Sequence, residues 1–141
     1  MEENYLKLKQ ERLMYVLPLV VDINNPTPSI GWDNLERPSF FDRCETDTIV
    51  ALALLHHLAI GNNIPFEMMA DFLSTKCKKL IIEFVPKDDS DAQRLLVSRE
   101  DIFQGYNIEN FEEEFGKHFK IKLKRRLKNS SRVIYLMTKK R

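Results

Sequence analysis

The sequence predicts an α/β fold: a mostly parallel sheet with helices on both sides and an antiparallel hairpin at its C-terminal end. Three observations predict it. Short apolar runs close in polar or charged residues at 16–22, 48–58 and 80–86, which is how strands buried on both faces of a parallel sheet read. Helix-patterned stretches stand between those runs, the alternation expected of βαβ units. Two further strand-like runs flank Asn129-Ser130-Ser131 near the end of the chain, a hairpin signal.

Taken in order, residues 3–15 carry Tyr5, Leu6, Leu8, Leu13 and Met14 among charges, an untidy amphipathic helix. Val16-Leu17-Pro18-Leu19-Val20-Val21-Asp22 reads as a strand with Pro18 near its start or on an edge, since proline cannot donate to a ladder. The loop from Asn24 to Trp32 is stiffened by Pro26 and Pro28. A short helix is expected at 39–43, with Phe40 and Phe41 turned inward.

The central stretch is 48–58, eight uncharged residues that run into His56-His57. It reads as a strand buried on both faces, with the histidines at its carboxyl end, where open α/β sheets place ligands. Its alanines and leucines are also good helix formers, so periodicity alone leaves a buried helix open. Pro65 suits the first turn of a helix whose stripe is Phe66, Met69, Phe72 and Leu73. Strand 80–86 follows, then a helix over 91–97 with Leu95 and Leu96 inward. Ile108, Phe111, Phe115 and Phe119 keep helical spacing. Ile121, Leu123 and Leu127 alternate with basic residues as a half-buried strand, and 133–137 returns beside it.

The 141 residues suit one domain spanning 1–141. With 22 basic and 21 acidic side chains the formal net charge is +1, so bulk charge points to neither nucleic acid nor anionic membrane. No run reaches the roughly 18 apolar residues of a membrane span. The opening Met1-Glu2-Glu3-Asn4 is not that of a signal peptide. Cys44 and Cys77 show no metal spacing, so a cytoplasmic protein with reduced thiols is the expectation.

Several pieces resemble, in this order, the second half of a class I S-adenosylmethionine-dependent methyltransferase of the nodulation-related branch. They are Leu17 to Asp22, Asn25-Pro26-Thr27-Pro28-Ser29-Ile30-Gly31-Trp32, Ala51 to Leu58, Ile82-Glu83-Phe84-Val85-Pro86-Lys87-Asp88-Asp89-Ser90 and Arg99-Glu100-Asp101-Ile102-Phe103. The resemblance implies a Rossmann-like sheet of order 3-2-1-4-5-7-6 in which this chain supplies strands three to seven. The first two strands, with the glycine-rich turn for the methionine part of the cofactor and the acid for its ribose, are lacking. The four glycines, Gly31, Gly61, Gly105 and Gly116, form no GxGxG.

By the same resemblance, Asp22 and Ile23 contact the adenine of S-adenosylmethionine, unless Asp22 simply caps loop amides. His57 is placed as a general base, since imidazole titrates near neutrality. His56, Trp32 and Lys87 are substrate-pocket candidates. Adjacent residues on a strand point to opposite faces, so His-His is a poor metal pair and one of the two is structural. Trp32 is either a loop anchor buried in the core or a cover over the site. Asn24-Asn25-Pro26 resembles the Asn-Pro-Pro-aromatic motif of amino-group methylases, with Thr27 replacing the second proline. Asp88 and Asp89 fit Mg²⁺ ligands or a helix cap; the cap needs only local composition, and no metal is expected.

The function implied is methyl transfer from S-adenosylmethionine by a chain that is incompetent alone. A homodimer, or a separate N-terminal chain, would complete the sheet. The alternative is a non-catalytic interaction or dimerisation module derived from that fold, or a split reading frame.

Overall fold

The computed structural model describes residues 2–13, 15–44, 46–97 and 100–141. Met1, Met14 of the expected first helix and Arg99 of the resembling segment lie outside the described residues. The chain divides into two compact units, Met1–Phe40 and Phe41–Arg141.

In the first unit, α1 (Glu2–Gln10) has glutamates in its first turn and lysines in its last, the arrangement the helix dipole favours. It ends earlier than its sequence pattern suggested, at a turn where Arg12 has φ 56°. The strand expected at 16–22 does not form. These residues take no regular structure, and Leu17 and Val20 are 73% and 77% exposed. A strand persists only where its backbone groups find ladder partners, and Pro18 removes one donor. Among the described residues, the β pairing in this unit is a single bridge, Ile30 with Arg37. Gly31 turns the chain there at φ 92°, where a Cβ would strike the Glu36 side chain.

The second unit is an α/β layer. After a 3₁₀ turn at Phe41–Arg43 come β1 (Thr48–Ala51), a π-helical turn (His57–Gly61), α2 (Phe66–Lys76), β2 (Lys79–Phe84), α3 (Ser90–Leu96), α4 (Ile108–His118), β3 (Phe119–Arg126) and β4 (Val133–Lys139). The four-stranded sheet has the order β1-β2-β4-β3. The β1–β2 pair is parallel, and β4 runs antiparallel to both its neighbours. Three strands therefore share a direction, although only one neighbouring pair is parallel. The expected hairpin is present, with a bulge between Ile121 and Leu123.

The 48–58 reading needs two corrections. The strand stops at Ala51, and residues from Leu55 onward are helical, so the histidines ride on a helix rather than a strand tip. The run is also an edge strand, not a central one, with Val50 57% exposed. The physical reason is at Ala53. Its backbone N–H donates to the Glu83 carboxylate at 2.6 Å, and it turns at φ 50°. Beyond that turn Leu54 and Leu55 follow their helix propensity.

α2 and α4 pack on each other over one sheet face. Phe66, Phe111 and Phe115 meet Phe84 and Tyr135 there, with Phe111–Phe115 centroids 4.5 Å apart and Phe111–Tyr135 5.0 Å. Phe119 closes the stripe, though it begins β3 rather than ending the helix. Each aromatic pair adds about 0.5–1.5 kcal/mol beyond its burial. The opposite face, carrying Val50, Ile81, Leu136 and Leu123 in cross-strand register, is only half covered. Phe111→Ala is expected to cost about 3–5 kcal/mol in urea denaturation, and Val20→Ala less than about 0.5 kcal/mol because Val20 is 77% exposed.

Candidate functional site

The carboxyl end of the β1–β2 pair gathers the polar chemistry of the second unit. Glu83, on β2, is almost wholly buried and points away from the face covered by α2 and α4, because its neighbours Ile82 and Phe84 take that side. Arg132 enters at the foot of β4, where that strand begins beside the end of β2. Its guanidinium lies 3.6 Å from Glu83, and grips Asp89 with two bonds, Nε–Oδ2 at 2.7 Å and Nη2–Oδ1 at 2.8 Å. A third bond, Nη2 to Asp91 Oδ2, is 2.7 Å. Asp89 also caps α3 by accepting from Asp91 N. The fork of bonds from Arg132 holds its carboxyl below the ordinary range.

The two histidines have different environments. Their rings lie 4.2 Å apart at 37°. His56 has no exposed surface, and neither ring nitrogen has a hydrogen-bond partner among the described residues. Burial, then the neighbouring His57 and Arg132, lowers its pKa. His57 is exposed, and Asn62 Nδ2 donates to its backbone carbonyl at 2.8 Å. Lys87 donates to both oxygens of Asp101 at 2.8 Å, so its charge is already met. Of His56, His57 and Lys87, His57 alone is exposed with no charged partner among the described residues.

A cavity of ≈ 280 Å³ opens nearby in sequence, lined by Ala59, Ile64, Pro65, Phe66, Phe103 and Tyr106 among others. The Tyr106 hydroxyl donates to Val85 O at 2.6 Å, and burial raises its pKa. It thus fixes the wall of the cavity instead of offering a free phenol.

Asp22, Ile23 and Trp32 belong to the first unit. Asp22 Oδ1 accepts from Asn24 N at 3.0 Å, the loop-capping role weighed from sequence. Ile23 is exposed. Trp32 is 87% exposed, which overturns its role as an anchor in the core. Its backbone N–H donates to Glu36 Oε1 at 3.2 Å.

The chain is similar to a nodulation protein. It is 41% identical over 119 residues to "Nodulation protein NoeA" of Rhizobium meliloti (strain 1021), a match covering 84% of this chain and 25% of that protein. The chain thus spans about a quarter of the length of that relative. No family model matches it, and no solved structure matches it. Among the described residues, no helix is long and apolar enough to cross a membrane, and no group of three or more His, Cys, Asp or Glu could hold a metal ion.

Sequence reasoning missed Arg132 altogether. It sits after the hairpin turn among several basic residues, and no spacing marks it as the partner of Glu83 and Asp89. Glu83 was visible as an acid inside a strand, and that was the available signal.

Two outcomes follow from this geometry. Arg132→Met should destabilise the fold by about 3 kcal/mol, since it leaves Glu83 and Asp89 buried without their cation; chemical denaturation at neutral pH measures it. His56 has a folded pKa below its ordinary 6.5. The unfolded chain therefore takes up a proton first, and stability should be fully present above pH 6.5 and fall as pH drops below it. That slope should flatten in His56→Leu, as read from denaturation midpoints across pH.

Proposed function

We propose that this chain is the carboxyl-terminal part of an S-adenosylmethionine-dependent methyltransferase fold, and that it acts only together with the missing amino-terminal strands. One observation carries the reading. The order β1-β2-β4-β3, with β4 inserted antiparallel, is the last four places, 4-5-7-6, of the sheet that the resemblance implies. The likeness to a nodulation protein across most of the chain is in keeping with it.

The residues present do not by themselves fit the cofactor. No described strand pairs with the outer edge of β1, and no glycine-rich turn exists to wrap a methionine tail. Asp22 and Ile23 would hold the adenine, with Asp22 exchanging its loop contact for the exocyclic amine. His57 would take the proton from the acceptor, because it is the solvent-facing imidazole at the carboxyl end of the sheet. His56 would serve by packing, and the adjoining apolar cavity would seat an apolar part of the acceptor. The cytoplasm is the compartment proposed, with no part for nucleic acid or membrane.

The test is methyl transfer from radiolabelled S-adenosylmethionine. The chain alone should give no turnover. Coexpressed with the part of the Rhizobium relative that lies outside the match, it should give turnover that falls at least about a hundredfold in His57→Ala, the lower end of general-base effects. Robust turnover by the chain alone, or none from the pair, would overturn the proposal.

A second reading, a non-catalytic dimerisation module, is favoured by the open β1 edge with Val50 and Leu52 both more than half exposed. Light scattering separates the two. A stable homodimer that binds no cofactor supports the module, and a monomer counts against it.

A further inference from the structure

At the other end of the sheet, the amino ends of β1 and β2, a cavity of ≈ 660 Å³ is lined by both cysteines of the chain, Cys44 and Cys77, with Thr46, Asp47, Lys78 and Lys139 among its other walls. The segment carrying Cys44 is pinned on both sides to the end of α2. Before it, the Phe41 ring meets Phe72 edge-on at 4.8 Å. After it, Thr46 Oγ1 donates to Lys76 O at 2.8 Å, and Asp47 O accepts from Lys78 N at 3.0 Å and Lys79 N at 2.9 Å. Cys77 follows Lys76 directly. Cys44 is two residues from Thr46, a reach of at most about 7 Å. The two thiols thus line one cavity on segments joined by the Thr46–Lys76 bond, and a bridge between them requires a Cα separation of roughly 4.4–6.8 Å.

We propose that Cys44 and Cys77 form a reversible modification site, a thiol pair that a small-molecule disulfide of the glutathione type converts to an intramolecular disulfide. The two thiols are suited to different steps. Cys44 is half-buried, whereas Cys77 is buried, its Sγ 3.4 Å from Leu73 O. Burial raises the Cys77 pKa and keeps it a protonated resolving thiol. Cys44 gives up its proton and attacks one sulfur of the reagent; the reagent's S–S bond breaks and one thiol leaves. Cys77 then loses its proton to solvent and attacks Cys44 Sγ, expelling the second thiol. Two protein thiols are oxidised to one disulfide, and one reagent disulfide is reduced to two thiols. The bridge encloses β1 and the histidine turn, so it stiffens the segment that carries His57.

The experiment is incubation of the full chain with oxidised glutathione, then alkylation and non-reducing peptide mapping. The expected product is a monomer lacking two hydrogens, with the Cys44 and Cys77 peptides linked, reversed by dithiothreitol and melting several degrees higher than the reduced form. Cys77→Ser should stop at a glutathione adduct on Cys44, and Cys44→Ser should stay unmodified. If wild type also stops at the Cys44 adduct, or only intermolecular bridges form, the proposal is overturned. This readout contains no methyl transfer, so it stands or falls apart from the function proposed above.

Discussion

The second unit hangs on the Glu83 carboxylate. A carboxylate inside a strand and out of reach of water is costly unless every lone pair is met. Here one oxygen takes the Ala53 N–H and the other faces the Arg132 guanidinium. Arg132 in turn binds Asp89 and Asp91 at the start of α3. One buried acid therefore links the end of β1, the middle of the sheet, the foot of β4 and the first turn of α3. The parallel pair and the hairpin are joined by β2–β4 backbone bonds in any case, but this network sets where β1 stops and where α3 begins.

That stop decides the character of the histidines. Were β1 to run on to Leu58, the two rings would stand on opposite faces. Because Glu83 captures Ala53, the chain turns, a helical turn starts, and the rings lie side by side with one buried and one in water. An orphaned imidazole in the interior is tolerated only neutral. Its cation neighbour Arg132 reinforces that, since a second positive charge beside it is unfavourable. The same arginine thus neutralises Glu83 and discourages protonation of His56.

Much of the second unit was legible because its signals are local. Phe66, Met69, Phe111 and Phe115 repeat at helical spacing, and each is buried. Ile121 and the run 133–137 announced a hairpin through alternation and the turn at 129–131, and the order of elements fixed the α/β class. The strand at 16–22 misled because an apolar run states a preference for burial and says nothing of a partner; Leu17 and Val20 remain in solvent. The extent of β1 misled because its end is set from thirty residues away by Glu83. Arg132 could not be seen because an ion pair between residues 43 positions apart leaves no trace in local composition. The role of Asp22 as a loop cap was legible, being written in the two residues that follow it.

The two edges of the sheet are treated differently, and the difference bears on what the chain is for. β3 carries Lys120, Lys122, Lys124, Arg125 and Arg126 and a bulge after Ile121. Charged side chains and bulges are how natural sheets keep an outer strand from pairing with another chain. β1 is Thr48, Ile49, Val50 and Ala51, without charge, proline or bulge, and Val50 and Leu52 face solvent. A chain under pressure to stay monomeric would be expected to protect both edges. Among the described residues the β1 edge carries none of these devices, which is what a sheet that continues past β1 requires.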